Sequence, residues 1–314
     1  MKQPLEPTLE RFANPVVRYF AATRPAFISV SLIAGLLGLA SAKESGLTID
    51  LTLATITLIF ALMAHAGANV LNDYYDALNG TDLQNTERIF PFTGGSRFIQ
   101  NGVLTLAQTR NFGLTLMASV VLAGLWLISH SAPQLLYIGL AGLFIGWGYS
   151  APPFNFVSRG WGELCVVGGM LLITVGTDLV QRKSFSTTPL AAGLSYALLT
   201  ACLLYITQFT DRKADALAGK LHWVARLDVD RACWGYVLIS LSAYCWVIGA
   251  VKFDILPLWT LLSLLTVPIS FLAANQLFSH THHPQQLGDG IKLTIAALLL
   301  HGVLQIFGLS HHQY

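Results

Sequence analysis

The chain has 314 residues, of which 54% are hydrophobic and only 11% charged, with a mean hydropathy of +0.59. Soluble domains carry about 25% charged residues, so a water-facing globular fold is excluded. The net charge of +2 offers no basic surface for nucleic acid, and the 4 cysteines show no CxxC-type ligand spacing, so they read as reduced apolar fillers.

A helix needs about 20 mostly apolar residues to cross ~30 Å of hydrocarbon. Nine such windows are predicted in chain order, with cores at 25–42, 51–72, 112–129, 133–149, 161–181, 188–209, 232–251, 255–277 and 291–309. A membrane β-barrel shows short alternating segments rather than continuous apolar runs, so the expected fold is all-α, one membrane-embedded bundle over residues 1–314. Lys2, Glu6, Glu10, Arg11 and Arg18 leave no apolar core for a secretory signal ahead of the first span. All Lys and Arg residues except Lys43, Arg182, Lys183 and Lys252 fall on the N-terminal side of the bundle. The positive-inside rule therefore puts the N-terminus and the loops after spans 2, 4, 6 and 8 in the cytoplasm, and the C-terminus outside.

The second span ends in HAGANVLNDYYDALNGTD, which sets His65, Asn69, Asn72, Asp73 and Asp76 three or four residues apart on one helical face. Carboxylates at the edge of a bilayer are costly against lipid, so this stripe is expected to face the bundle or water. His65 reads as a hydrogen-bonded packing residue. A long polar segment, 73–111, follows. Between spans 4 and 5, GYSAPPFNFVSRGWGE forms a Pro- and Gly-punctuated turn carrying Tyr149, Arg159 and Glu163. Asp178, near the outer end of span 5, reads as a solvated helix terminus.

The sixth span ends in ITQFTDRKADALAGK, with Asp211 and Asp215 one turn apart and Gln208 before them. DALNG at Asp76–Gly80 recurs here as DALAG at Asp215–Gly219. The echo predicts two related halves whose helix ends face one cavity. In SHTHHPQQ, His280, His282 and His283 have no partner cluster, and no site is expected there.

Two carboxylate pairs converging from two helices repel unless something positive lies between them. Oxygen ligands suit a hard ion such as Mg2+, which takes one or two carboxylates and completes its shell with phosphate and water. Arg24, Arg88, Arg97, Arg159, Arg212, Lys213, Lys220 and Arg226 surround both motifs and suit a diphosphate. A cation-coupled transporter also places carboxylates in a bundle, but usually near the midplane rather than at helix ends.

These residues resemble the UbiA superfamily of intramembrane aromatic prenyltransferases. NDYYDALNGTD resembles the family's NDxxDxxxD element, and its Gly80–Asp82 ending, with GGSRFIQNGVLT after it, is closest to the branch that prenylates 1,4-dihydroxy-2-naphthoate to make menaquinone. DRKADALAGK resembles the second acidic element, VARL a stretch that follows it in that branch, and YSAPPFNFVSRGWGE a third recurring segment. Gly80, Gln208, Thr210 and the absence of a threonine in KLHWVARLD depart from the pattern.

The resemblance implies an integral membrane enzyme, in a bacterial cytoplasmic membrane with its active site on the cytoplasmic side. It would move a polyprenyl group from a polyprenyl diphosphate to an aromatic acceptor, with 4-hydroxybenzoate, homogentisate or heme as alternative acceptors. Asp73, Asp76, Asp82, Asp211 and Asp215 would hold Mg2+. Asn69, Asn72, Arg24, Arg88, Arg97, Lys213, Lys220 and Arg226 would bind substrate, and Arg159 would hold diphosphate or an acceptor carboxylate. Tyr149 reads equally as a shield for an allylic cation and as an interfacial anchor.

Overall fold

The computed structural model describes residues 5–311, so Lys2 and the C-terminal residues 312–314 lie outside the described residues. Within them the chain is helical, with no strand. Twelve α-helices follow in order: α1 Pro15–Ala22, α2 Pro25–Glu44, α3 Leu51–Asn79, α4 Thr81–Gln84, α5 Leu106–His130, α6 Leu135–Gly148, α7 Gly162–Arg182, α8 Thr188–Leu217, α9 Trp223–Arg226, α10 Val229–Lys252, α11 Val267–His280 and α12 Gly288–Ser310. A 3-10 segment, Leu258–Thr266, runs directly into α11, and the two together make one apolar span of 23 residues.

Eight of these segments are long and apolar enough to cross a membrane. The predicted window at 133–149 folds instead as the 14-residue α6. At ~1.5 Å per residue α6 reaches only about 21 Å, because Pro133 precedes it and the turn holding Pro152 and Pro153 follows it. The chain is an integral membrane protein.

The helix ends follow local chemistry. Asp50 caps α3 by accepting from the Thr52 and Leu53 amides at 2.9 and 3.0 Å. Thr105 and Gln108 form a capping box at the start of α5. Gly80 ends α3 at φ +81°, and Gly219 follows α8 at φ +78°, so the DALNG and DALAG echo marks two helices stopped by the same left-handed glycine.

α3 has 29 residues and α8 has 30. At ~1.5 Å each they extend to about 45 Å, well beyond the hydrocarbon thickness. Their polar last turns, which carry the two acidic elements, therefore stand beyond the apolar layer at one face of the bundle.

α8 is the central post, with 78% of its apolar window buried against 17% for α5. It packs with α2, α7, α10 and α12 around the main core, and α11 joins that core through α12 and α10. α3, α5 and α6 form a second group that meets α7 at Leu53, Leu127, Leu135, Leu179 and Val180. α1 lies against the loop after α4, through Ala22, Phe98, Val103 and Leu104.

Asp178 differs from its expected solvated state. It is 1% exposed and accepts two bonds from Arg182 at 2.8 Å, because α2 closes over this end of α7. Arg182 also donates to the Ser41 carbonyl and the Ser45 hydroxyl. That closure depends on Gly38, where a Cβ would run into the Thr174 carbonyl. Gly38→Ala is expected to lower stability by about 1–3 kcal/mol, read by thermal unfolding in detergent. Cys165, Cys202 and Cys233 are buried as fillers, whereas Cys245 faces outward from α10.

Candidate functional site

One cavity of about 560 Å³ lies between α2, α3, α5, α6, α7 and α8. At the end where α3 and α8 overshoot, its wall carries Arg24, Asn69, Asn72, Asp76, Asp82, Tyr149, Gln208, Asp211, Asp215, Lys220 and His222. The rest is mostly apolar and runs between α5, α6 and α7 toward Leu127, Leu135 and Val180 at the opposite end.

Helical geometry decides which acids face the cavity. Successive residues turn by ~100°, so His65, Asn69, Asn72 and Asp76 fall within a stripe about 60° wide. All four line the cavity. Asp73 sits about 60° around the helix from Asp76. It is absent from the wall, and its carboxylate instead accepts from the Ser96 amide at 3.3 Å, tying the loop after α4 to α3. Asp211 and Asp215, four residues apart, both line the cavity. His65 bonds with the Ser31 hydroxyl at 2.7 Å.

The two helix tips are joined by polar contacts. Lys220 Nζ lies 3.0 Å from Asp76 Oδ2 and 3.7 Å from Asp215 Oδ1, bridging α3 and α8. Burial opposes the Lys220 charge, but Asp215 and Asp76 outweigh it and hold its pKa well above the ordinary lysine value. Asn72 donates to Asp76 Oδ2 at 3.1 Å and to Ser150 at 2.9 Å. Asn85 donates to Asp211 Oδ1 at 2.5 Å.

Asp82 enters the site from α4. Gly95, at φ +73°, lets its backbone lie against the Asp82 carboxylate, where a Cβ would collide. Gln100 donates to Asp82 Oδ2 at 3.2 Å. Burial first, then the charges of Asp76 and Asp73, push the Asp82 carboxyl well above the usual carboxylate range against the pull of Lys220.

Most of the surrounding bases are engaged elsewhere and do not line the cavity. Arg88 pairs with Glu6 at 2.6 Å, an interaction that contributes to holding the Glu6 carboxyl low against the raising effect of burial. Arg97 turns its guanidinium onto the Asp82 carbonyl. Arg159 donates to the Pro153 carbonyl, Lys213 pairs with Glu87 at the surface, and Arg226 lies beside the Trp223 ring. Arg212 holds the Val224 and Leu227 carbonyls of the following segment. Arg24 does line the cavity, held by the Phe92 carbonyl at 3.3 Å and the Phe27 ring, with its Nε buried and unpartnered.

Sequence reasoning missed His222 and Asn85. Neither belongs to an acidic element, and both reach their carboxylate partners only through the folded loops. A histidine two residues after Lys220 in KLHWV was the available signal.

The donor set fits a hard divalent cation. Four carboxylates surround the polar end, and Asp215 Oδ1 is buried without a hydrogen-bond partner. No three His, Cys, Asp or Glu side chains among the described residues form a ready-made cage. An ion that takes one or two carboxylates and completes its shell with phosphate and water needs no such cage.

The UbiA prenyltransferase family model matches residues 31–286. The chain is 26% identical over 295 residues to 2-carboxy-1,4-naphthoquinone phytyltransferase of Synechocystis sp., covering 92% of each chain. It is 24% identical over 295 residues to 1,4-dihydroxy-2-naphthoate octaprenyltransferase of Bacillus subtilis, covering 91% of this chain and 90% of that one. Among solved structures, a UbiA homolog from Archaeoglobus fulgidus bound to DMAPP and Mg2+ shares the fold with a TM-score of 0.61 at 17% identity, over 91% of this chain and 99% of that one.

Proposed function

The chain belongs to the UbiA prenyltransferase family, and from that premise we propose that it transfers a polyprenyl group from a polyprenyl diphosphate to 1,4-dihydroxy-2-naphthoate in quinone biosynthesis. The observation that carries this reading is the single cavity that joins an acidic, lysine-bridged head to a long apolar barrel. The excess of Lys and Arg on that side of the bundle supports a cytoplasmic orientation for the head.

Asp76, Asp82, Asp211 and Asp215 would hold Mg2+, which when bound supplies charge neutralisation for the diphosphate leaving group. Lys220 keeps the α3 and α8 tips together and adds a positive charge beside that group. Cleavage of the allylic C–O bond leaves a carbocation, an electron-rich ring carbon of the acceptor bonds to it, and the ring then loses a proton. Tyr149 presents its ring on the cavity wall, where it can face that cation. The apolar walls exclude water, which would otherwise capture the cation. Arg24 offers an unpaired guanidinium edge to an anionic group of either substrate.

Gly124, Gly139, Gly142 and Gly169 line the apolar part, and a Cβ at any of them meets open space. Their missing side chains are room for the isoprenoid tail. Gly142→Leu is expected to raise KM for long-chain diphosphates about tenfold or more, since each excluded CH2 forfeits about 0.8 kcal/mol, while short-chain donors keep their KM. Steady-state kinetics with donors of graded length check this.

The function itself is tested with purified protein in lipid, Mg2+, a labelled polyprenyl diphosphate and a panel of aromatic acceptors. Labelled product with 1,4-dihydroxy-2-naphthoate is expected. Product with a different acceptor alone, or with none, overturns the assignment.

A further inference from the structure

We propose that His222 is a positioning residue that aims Asp215 into the active site, leaving one carboxylate oxygen free for the divalent cation. The inference rests on the metal-assisted reading of the cavity given above.

His222 is fully buried and sits on the cavity wall beside Lys220. It is the N-cap of α9, where the Ala225 backbone N–H donates to Nδ1 at 3.2 Å. A backbone amide can only donate, so Nδ1 carries a lone pair and the neutral ring holds its proton on Nε2. Nε2 faces Asp215 Oδ2 at 3.0 Å and therefore donates to it. The other oxygen, Oδ1, is buried with no hydrogen-bond partner, and Lys220 Nζ stands 3.7 Å away.

One oxygen is thus held by the ring, and the other, on a residue that lines the cavity, is left without a hydrogen bond. A carboxylate that ligates a metal is commonly held in this way by a hydrogen bond from outside the coordination shell. The ring itself is anchored on a braced segment. The Leu221 amide donates to the Ser158 carbonyl at 3.0 Å, and Arg212 on α8 holds the Val224 carbonyl at 2.9 Å. His222 therefore connects the end of α9 to the tip of α8 through a ring whose tautomer is set by the backbone.

Two variants separate the two bonds of the ring. His222→Asn keeps a short acceptor for the Ala225 amide but does not reach Asp215, whereas His222→Gln restores a donor at the reach of Nε2. Binding of Mn2+ is measured by electron paramagnetic resonance, alongside KM for Mg2+ and kcat. Loss of such a supporting contact typically weakens metal binding 10- to 100-fold. His222→Asn is expected to weaken Mn2+ binding about tenfold and raise KM for Mg2+ in step, with kcat at saturating metal retained. His222→Gln is expected to stay near the native values.

A role confined to capping α9 gives the reverse order, with glutamine the more impaired variant, and overturns the proposal. In an Asp215→Asn background, His222→Asn is expected to add no further loss of Mn2+ affinity; an equal further loss also overturns it. If the asparagine variant fails to fold, His222→Gln carries the comparison, and a tenfold loss there is contradictory. Native protein that binds Mn2+ and transfers prenyl groups while His222→Asn matches it defeats only this inference. Native protein that binds no Mn2+ defeats the metal reading and the inference with it.

Discussion

Asp76→Asn is expected to lower kcat for prenyl transfer about 10³-fold while leaving the bundle folded, a loss of ~4 kcal/mol in transition-state stabilisation. The amide has nearly the same volume, so packing at the α3 tip is preserved. What disappears is the negative charge that Lys220 and the proposed cation share. Asp76 is 6% exposed and receives bonds from Asn72 and Lys220, which fix its orientation. The leaving group departs with its charge only if the head of the cavity offsets that charge, and Asp76 lies at the centre of the head. The measurement is kcat at saturating substrates over a Mg2+ titration, with thermal unfolding as the check on folding. Lys213→Ala is the matched control: its partner is Glu87 at the surface, and its activity is expected to be native. A variant Asp76→Asn with near-native turnover removes α3 from the catalytic assignment.

Lys220→Met is expected to destabilise the protein by about 3–5 kcal/mol in the absence of divalent metal, because the stem is replaced but two buried carboxylates lose their shared cation. Lys220 is 9% exposed and lies against Asp76 and Asp215 from different helices. Its raised folded pKa sets the pH range. The contribution is complete below the unfolded value of about 10.4 and is lost only as pH rises through the still higher folded value. The lysine's own contribution should therefore be constant from neutral to mildly alkaline pH. Added Mg2+ with inorganic diphosphate is expected to restore part of the lost melting temperature by placing positive charge between the same carboxylates. Thermal unfolding with and without these additions provides the reading. A variant as stable as the native protein without metal would show that the bridge does not hold the two tips together.

The fold was legible because lipid imposes it: apolar windows of sufficient length must be helices, and the predicted cores lie within or close to the observed ones. The exception is α6, where Pro133 and the Pro152–Pro153 turn leave room for only 14 residues. The acidic face was legible because its spacing is a local property of a helix. Even there, angular position decided the outcome: Asn69, Asn72 and Asp76 share the cavity side of α3, whereas Asp73, about 60° around the helix from Asp76, meets the Ser96 amide. The basic residues were not legible in the same way. Whether an arginine is free depends on partners far along the chain, as with Glu6, 82 residues before Arg88. His222 and Asn85 went unseen for the same reason, since their carboxylate partners are set by how the loops fold back.

The shared site between the tips of α3 and α8 is tested most directly by Mn2+ titration, followed by electron paramagnetic resonance, in the presence of inorganic diphosphate. Native protein, Asp76→Asn and Asp215→Asn are compared in the same lipid. Both substitutions are expected to weaken binding of the Mn2+–diphosphate pair, because one ion draws on both helices. Weakening by only one of them, with the other binding as the native protein does, would mean that the two helix tips do not share an ion.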